Sequence, residues 1–170
     1  LTLIKPYLIY LLINVLFVIK YSSRQSSYDE NVTTVIYFVV MLLLPYLYSI
    51  FSFKAFFYKY TFLIIVLIFF AFTIYLNIII NGKALNVDRW SAMDISIEAL
   101  LSGNYPYSAM DHLGGRTSNL PTLIFIGIPF YLIGNVGYLQ SFCFLIFAYS
   151  VYLVFNNYKD RLFCMLLLIL

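Results

Sequence analysis

Residues 60–80 read YTFLIIVLIFFAFTIYLNIII and contain no charged side chain. An α-helix needs about twenty mainly apolar residues to cross a membrane, so this run is long enough to do so. The next residues, 81–119, read NGKALNVDRWSAMDISIEALLSGNYPYSAMDHLGGRTSN and hold the only Trp and the only His of the chain. The sequence therefore predicts a polar loop that follows directly on a membrane span.

The composition of the whole chain is typical of a membrane protein. Its 170 residues are 64% hydrophobic and 10% charged, whereas a soluble domain is roughly half apolar and about a quarter charged. The formal net charge of +3 is scattered, with no run of Lys or Arg of the kind that binds nucleic acid. We therefore expect the lipid bilayer as a partner, no nucleic acid, and a multi-pass location in a bacterial inner or cytoplasmic membrane.

Further apolar runs on both sides of residues 60–80 predict an all-α, polytopic transmembrane protein. Five runs have the length or composition of spans, namely residues 1–20, 32–53, 60–80, 120–134 and 138–155. Residues 162–170 form a sixth run that is too short to cross, and polar connectors lie at 21–31 and 156–161. Because the chain begins with Leu1 and stops inside an apolar run, we expect one membrane domain, residues 1–170, that is a piece of a longer protein.

The segment Asp88–Ser102 predicts an amphipathic helix that lies along the membrane surface after the third span. Its apolar face comprises Trp90, Met93, Ile97, Leu100 and Leu101, and its polar face comprises Ser91, Asp94, Glu98 and Ser102. Gly103 stands where a glycine commonly ends a helix, and Pro106 prevents the helix from continuing. We expect the apolar face to point toward lipid and the carboxylates of the polar face to be solvated.

Four polar residues of the loop are candidates for chemistry. Asp88 is either a general base at the membrane surface or a carboxylate that caps the helix. His112, next to Asp111, is either a metal ligand or proton carrier, or a solvated loop histidine. Arg89 and Arg116 can each bind a phosphate, although Arg116 can equally anchor the loop in the interface. Cys143 and Cys164 lack the spacing of metal ligands, so we expect no metal and no cofactor.

The order of these features resembles the first large loop of the C-type superfamily of integral-membrane glycosyltransferases, which includes the protein O-mannosyltransferase and aminoarabinose transferase relatives. The resemblance covers residues 87–144 and consists of Asp88, a surface helix that ends before Gly103, the sequence Tyr105-Pro106-Tyr107, and an apolar run from Pro121 to Gly134. It implies a polyprenyl-phosphate-linked sugar as donor, a hydroxyl acceptor and a role in cell-envelope glycan synthesis. It also implies that Asp88 is catalytic. The family often has a second acidic residue where this chain has Arg89. The need to bind a phosphate leaving group makes Arg89 and Arg116 candidates for substrate binding, and His112 is a third candidate.

Two other functions stay open at this point. One is a non-enzymatic carrier or polysaccharide-export component, and the other is an O-antigen-polymerase-like enzyme. Residues 60–80 and 120–155 contain no Asp, Glu, Lys, Arg or His, which favours chemistry at the surface over a transport pathway through the spans. The distribution of Lys and Arg favours a cytoplasmic position for the loop, whereas the resemblance implies that the loop faces away from the cytoplasm.

Overall fold

The computed structural model describes residues 4–22 and 29–170, and the regular elements within these ranges are helical. The α-helices are α1 (Ile4–Ser22), α2 (Glu30–Ile50), α3 (Ala55–Ile79), α4 (Arg89–Leu101), α5 (Pro121–Leu132), α6 (Tyr138–Val154) and α7 (Tyr158–Ile169). Two short 3-10 helices cover Gly82–Ala84 and Pro106–Ser108. The all-α prediction is thus confirmed for the described residues, while most of the predicted connector at 21–31 lies outside them.

Two of the described helices are long and apolar enough to cross a membrane. They cover Asn31–Ile50, with 20 residues, and Ala55–Ile79, with 25 residues. The other apolar helices of the described ranges are shorter, at Pro6–Ser22, Pro121–Leu132 and Tyr138–Val154. The prediction of about five complete spans is therefore not supported.

The short length of α5 has a local cause at each of its ends. Pro121 stands in the first turn, where its missing N–H costs no helical hydrogen bond. At the other end the Gly134 N–H donates to the Tyr131 carbonyl at 2.9 Å, and the Asn135 N–H donates to the Phe130 carbonyl at 3.1 Å. This pair of bonds is a Schellman motif, which ends a helix. The 12 residues of α5 span about 18 Å, short of the ~30 Å hydrocarbon core.

Helix α4 ends with the same motif, as the sequence predicts. Gly103 has a φ of 74°, and its N–H donates to the Leu100 carbonyl at 3.1 Å. The Asn104 N–H donates to the Ala99 carbonyl at 2.8 Å. The predicted role of Gly103 as the glycine that ends the helix is confirmed.

Most of the apolar face of α4 packs against protein, so the predicted direction of Met93 and Ile97 toward lipid is wrong. Met93 and Ile97 are buried in a core cluster that also contains Ile124, Val136 and Leu139, with Trp90 and Leu100 packed around it. Gly127 of α5 allows this contact, because a Cβ added there would lie only 2.1 Å from the Met93 Cε. Ser91, predicted on the solvated face, is fully buried.

The described chain forms two compact units. The first comprises the described residues up to Ala55 together with Leu166–Leu170, and the second comprises Phe56–Met165. In the first unit α1 packs along α2, where Leu11 and Met41 are buried and the Tyr7 hydroxyl donates to the Met41 carbonyl. The polar loop and the helices that contact it belong to the second unit.

The start of α7, which the sequence predicts to be part of the polar connector 156–161, contains a buried cation. Arg161 is only 8% exposed, and its Nε donates to the Phe155 carbonyl at 2.6 Å. Its guanidinium lies 4.2 Å from the Tyr152 ring centre and 4.3 Å from that of Tyr158. These cation–π contacts hold the start of α7 against the end of α6.

Replacing Ile97 with Asp tests the direction of the apolar face of α4. Ile97 is 0% exposed, so the substitution buries an unpaired carboxylate and is expected to cost roughly 3–5 kcal/mol of stability. Leu101 lies on the same helix and is 50% exposed, so Leu101→Asp is expected to cost no more than about 0.5 kcal/mol. The measurement is thermal unfolding of the detergent-solubilised chain, and a larger loss for Leu101→Asp would contradict the packing described above.

Candidate functional site

The polar loop is held against the ends of two apolar helices by one side chain, that of Asn135. Its Oδ1 accepts hydrogen bonds from the Trp90 Nε1–H at 2.9 Å and from the Gly137 N–H at 2.8 Å. Its Nδ2 donates to the Asn77 carbonyl at 2.6 Å. One amide thus joins the end of α3, the first turn of α4 and the start of α6. In the sequence, residues 135–137 only separate the apolar runs 120–134 and 138–155, and nothing in that spacing predicts the role of Asn135.

A cavity of about 540 Å³ lies next to this junction. Its apolar wall includes Leu76 of α3, Ile80 directly after that helix, Leu85 of the loop, Trp90 and Met93 of α4, and Leu139 of α6. Asn77 and Gln140 add polar groups, and Arg89 is the only charged residue among the described residues that line it. The volume falls within the range of about 300–1,000 Å³ that is usual for small-molecule sites.

Asp88 stands at the N-cap position of α4, directly before Arg89. Its side chain is exposed, and within the described part of the chain it caps none of the backbone N–H groups of α4. Its main-chain carbonyl accepts hydrogen bonds from the Ala92 N–H at 2.7 Å and from the Ser91 Oγ–H at 3.0 Å. The capping interpretation of Asp88 therefore lacks its hydrogen bond, and the carboxylate faces solvent beside a cavity-lining arginine.

His112 contacts the same segment of the loop through both ring nitrogens. Its Nδ1 lies 2.5 Å from the Ser91 Oγ, and its Nε2 lies 2.8 Å from the Leu85 carbonyl oxygen. Because a carbonyl oxygen only accepts hydrogen bonds, Nε2 must carry a hydrogen and donate it. In this arrangement the imidazole binds the protein on both sides rather than presenting a nitrogen to a substrate or metal.

A tight turn fixes the position of His112. Asp111 is buried, and its Oδ1 accepts hydrogen bonds from the Leu113 N–H at 2.8 Å and the Gly115 N–H at 2.9 Å. The Asp111 N–H also donates to the Gly115 carbonyl at 2.8 Å. Arg116 follows this turn and is exposed. The structure thus brings Asp88, Arg89 and His112 to the start of α4 and leaves Arg116 at the end of the neighbouring turn.

Asp94 is a titratable residue whose environment the sequence does not predict. Burial raises the pKa of its carboxyl above the usual range, the nearby Lys83 lowers that pKa in part, and Glu98 raises it further. Asp94 is half-buried rather than solvated as expected, because burial depends on what packs around α4 and not on helical spacing alone. A carboxyl with a raised pKa is a candidate proton carrier, so Asp94 is a rival to Asp88.

The described residues, 4–22 and 29–170, contain no group of three or more His, Cys, Asp or Glu side chains that could hold a metal ion. Comparison with known protein families, characterised proteins and solved structures finds no match to this chain. What the protein does must therefore be inferred from its own residues.

Replacing Asp94 with Asn is expected to stabilise the protein at neutral pH. Since the pKa of Asp94 is higher in the folded chain, its contribution to stability is fully present below the unfolded value of about 3.9 and is lost as the pH rises through the folded value. The midpoint of thermal unfolding of Asp94→Asn should thus exceed that of the wild type at pH 7, and the difference should shrink as the pH approaches about 4. Glu98→Gln, at an exposed position one turn further on, is the control with a smaller effect. A gain that is independent of pH would contradict this account.

Proposed function

We propose that this chain is an integral-membrane, multi-pass glycosyltransferase, or a piece of one, that transfers a sugar from a polyprenyl-phosphate donor to a hydroxyl acceptor. The observation that supports the proposal best is the position of Arg89, which lines an apolar cavity of about 540 Å³ and directly follows the exposed Asp88. A polyprenyl-phosphate donor combines a long apolar chain with an anionic group. The apolar chain matches the walls of the cavity, and the anionic group matches the guanidinium of Arg89.

The apolar walls suit the hydrocarbon part of the donor. They come from α3, from the start of α6 and from α4. Each Å² of apolar ligand surface that is removed from water there stabilises the bound state by about 25 cal/mol. Arg89 suits the phosphate, because a guanidinium forms charge-assisted and often bidentate hydrogen bonds with phosphate oxygens. Arg116 is a second candidate for binding the phosphate.

Asp88 suits the role of general base in this reaction. As the acceptor oxygen forms its bond to the anomeric carbon, the acceptor proton passes to the Asp88 carboxylate. The bond between the anomeric carbon and the phosphate oxygen breaks, and the leaving lipid phosphate keeps the electron pair. Arg89 offsets the negative charge that this oxygen gains. The positive end of the α4 dipole favours the same anion.

The membrane arrangement is part of the proposal. Helices α2 and α3 cross the bilayer, and the shorter α1, α5 and α6 complete a multi-pass domain. The loop faces away from the cytoplasm, which is the side on which the resemblance places an exported, lipid-linked sugar. A non-enzymatic lipid carrier is the second candidate, because the apolar cavity with one arginine fits lipid binding without chemistry.

Ligand protection of Cys143 tests the donor site, because Cys143 lines the cavity. We expect farnesyl phosphate to slow alkylation of Cys143 by N-ethylmaleimide and to leave Cys164, on α7, unchanged as the internal control. Farnesol has the same chain without the phosphate and should require at least about a tenfold higher concentration, since a hydrogen bond to a charged group contributes roughly 1.5–3 kcal/mol. Arg89→Gln should remove this difference. Equal protection by the two ligands in the wild type would contradict the proposed site.

A comparison of Asp88→Asn with Asp94→Asn tests the base and separates the enzyme from the carrier. Asn keeps the shape of Asp but accepts no proton, so Asp88→Asn should lower sugar transfer on the order of 100-fold to 10,000-fold, while Asp94→Asn should keep most activity. The assay is sugar transfer in membranes that contain equal amounts of the two variants. A larger loss for Asp94→Asn would assign the base to Asp94. Equal activities, with farnesyl phosphate protection retained, would favour the carrier.

A further inference from the structure

We infer that His112 is a positioning residue that fixes the segment carrying Asp88 and Arg89 through contacts with Leu85 and Ser91, without touching the substrate itself. The inference rests on the proposed function, because it assigns His112 a role in presenting those two residues. It replaces the direct substrate contact that the sequence predicts for His112.

The imidazole joins two points on one short segment. It binds the Leu85 carbonyl at 2.8 Å and the Ser91 hydroxyl at 2.5 Å. Asp88 lies midway between these two residues in the sequence, and Arg89 follows it. Leu85 and Arg89 both line the cavity. His112 therefore fixes both ends of the segment that presents the carboxylate and the guanidinium.

Ser91 carries this constraint to Asp88. The Ser91 side chain is fully buried, and its Oγ lies 3.0 Å from the Asp88 carbonyl oxygen as well as 2.5 Å from the His112 Nδ1. The Ser91 hydroxyl has one hydrogen, which it donates to the Asp88 carbonyl or to the His112 Nδ1 but not to both at once, and either bond restrains the first turn of α4. The turn stabilised by Asp111 holds His112 in place from the other side.

His112 affects the binding of the phosphate and the binding of the apolar chain differently. The direction of the Arg89 guanidinium depends on the segment that His112 fixes, so loss of His112 weakens the contact with a phosphate. Leu76 of α3 and Leu139 and Cys143 of α6 also line the cavity, and His112 does not contact these helices through its two bonds. The affinity for an uncharged chain should therefore fall less than the affinity for the phosphate when His112 is replaced.

Cys143 alkylation in the full chain tests the inference, with farnesyl phosphate and farnesol as the two probes. His112→Ala and Ser91→Ala should each raise the concentration of farnesyl phosphate for half-protection by up to about tenfold, which corresponds to one hydrogen bond. The concentration of farnesol for half-protection should rise clearly less. The double variant should lose less than the sum of the two single variants, because each single variant already removes the contact between His112 and Ser91. His112→Gln, which keeps an N–H for the Leu85 carbonyl, should recover part of the loss, and Ser102→Ala, at an exposed serine at the end of α4, should have no effect.

The outcomes distinguish the inference from the proposed function. If the wild type shows no preference for the phosphate, the proposed function fails and the inference fails with it. If the wild type keeps that preference and both His112→Ala and Ser91→Ala keep it too, only the inference is overturned. Equal weakening of protection by both probes would show general loss of structure and would also overturn it. If His112→Ala does not fold, Ser91→Ala alone is the test. Weaker protection by farnesyl phosphate than by farnesol, relative to the wild type, supports the inference. An unchanged preference for farnesyl phosphate overturns it.

Discussion

The amide of Asn135 makes the interactions on which the arrangement of the second unit depends. It accepts hydrogen bonds from Trp90 and Gly137 and donates one to Asn77. These three hydrogen bonds are half-buried, and a hydrogen bond of this kind contributes about 0.5–1.5 kcal/mol to stability. The contact also demands a glycine at residue 137, since a Cβ there would lie 1.7 Å from the Asn77 Oδ1. Asn135 thus fixes the first turn of α4 relative to α3 and α6.

The site follows from this constraint. Because Trp90 is held at the junction, the preceding segment with Leu85 and Arg89 becomes one wall of the apolar cavity. The rest of α4 is fixed by the burial of Met93 and Ile97 against α5. The polar loop is therefore a packed part of the second unit, and the charged residues at the start of α4 have defined positions beside an apolar surface.

Part of this fold could be predicted from local sequence signals. Long apolar runs predict α2 and α3, and Gly103 predicts the end of α4, because these features depend on neighbouring residues alone. The direction of α4 could not be predicted, since Met93 and Ile97 are apolar whether they face lipid or α5. The role of Asn135 could not be predicted either, because its partners Asn77 and Trp90 lie 58 and 45 residues away in the sequence. Asp88 and Arg89 were found by their position after the third apolar run. The partners of His112 and the burial of Asp94 required the tertiary structure.

A double-mutant cycle between Trp90 and Asn135 tests the central claim most directly. Trp90→Phe removes the Nε1–H but keeps an aromatic ring, and Asn135→Ala removes the acceptor. The free energy of unfolding of the wild type, the two single variants and the double variant gives their coupling energy. If Asn135 holds α4 through this hydrogen bond, the coupling energy should be about 1 kcal/mol. Additive effects, with a coupling energy below about 0.3–0.5 kcal/mol, would contradict the account.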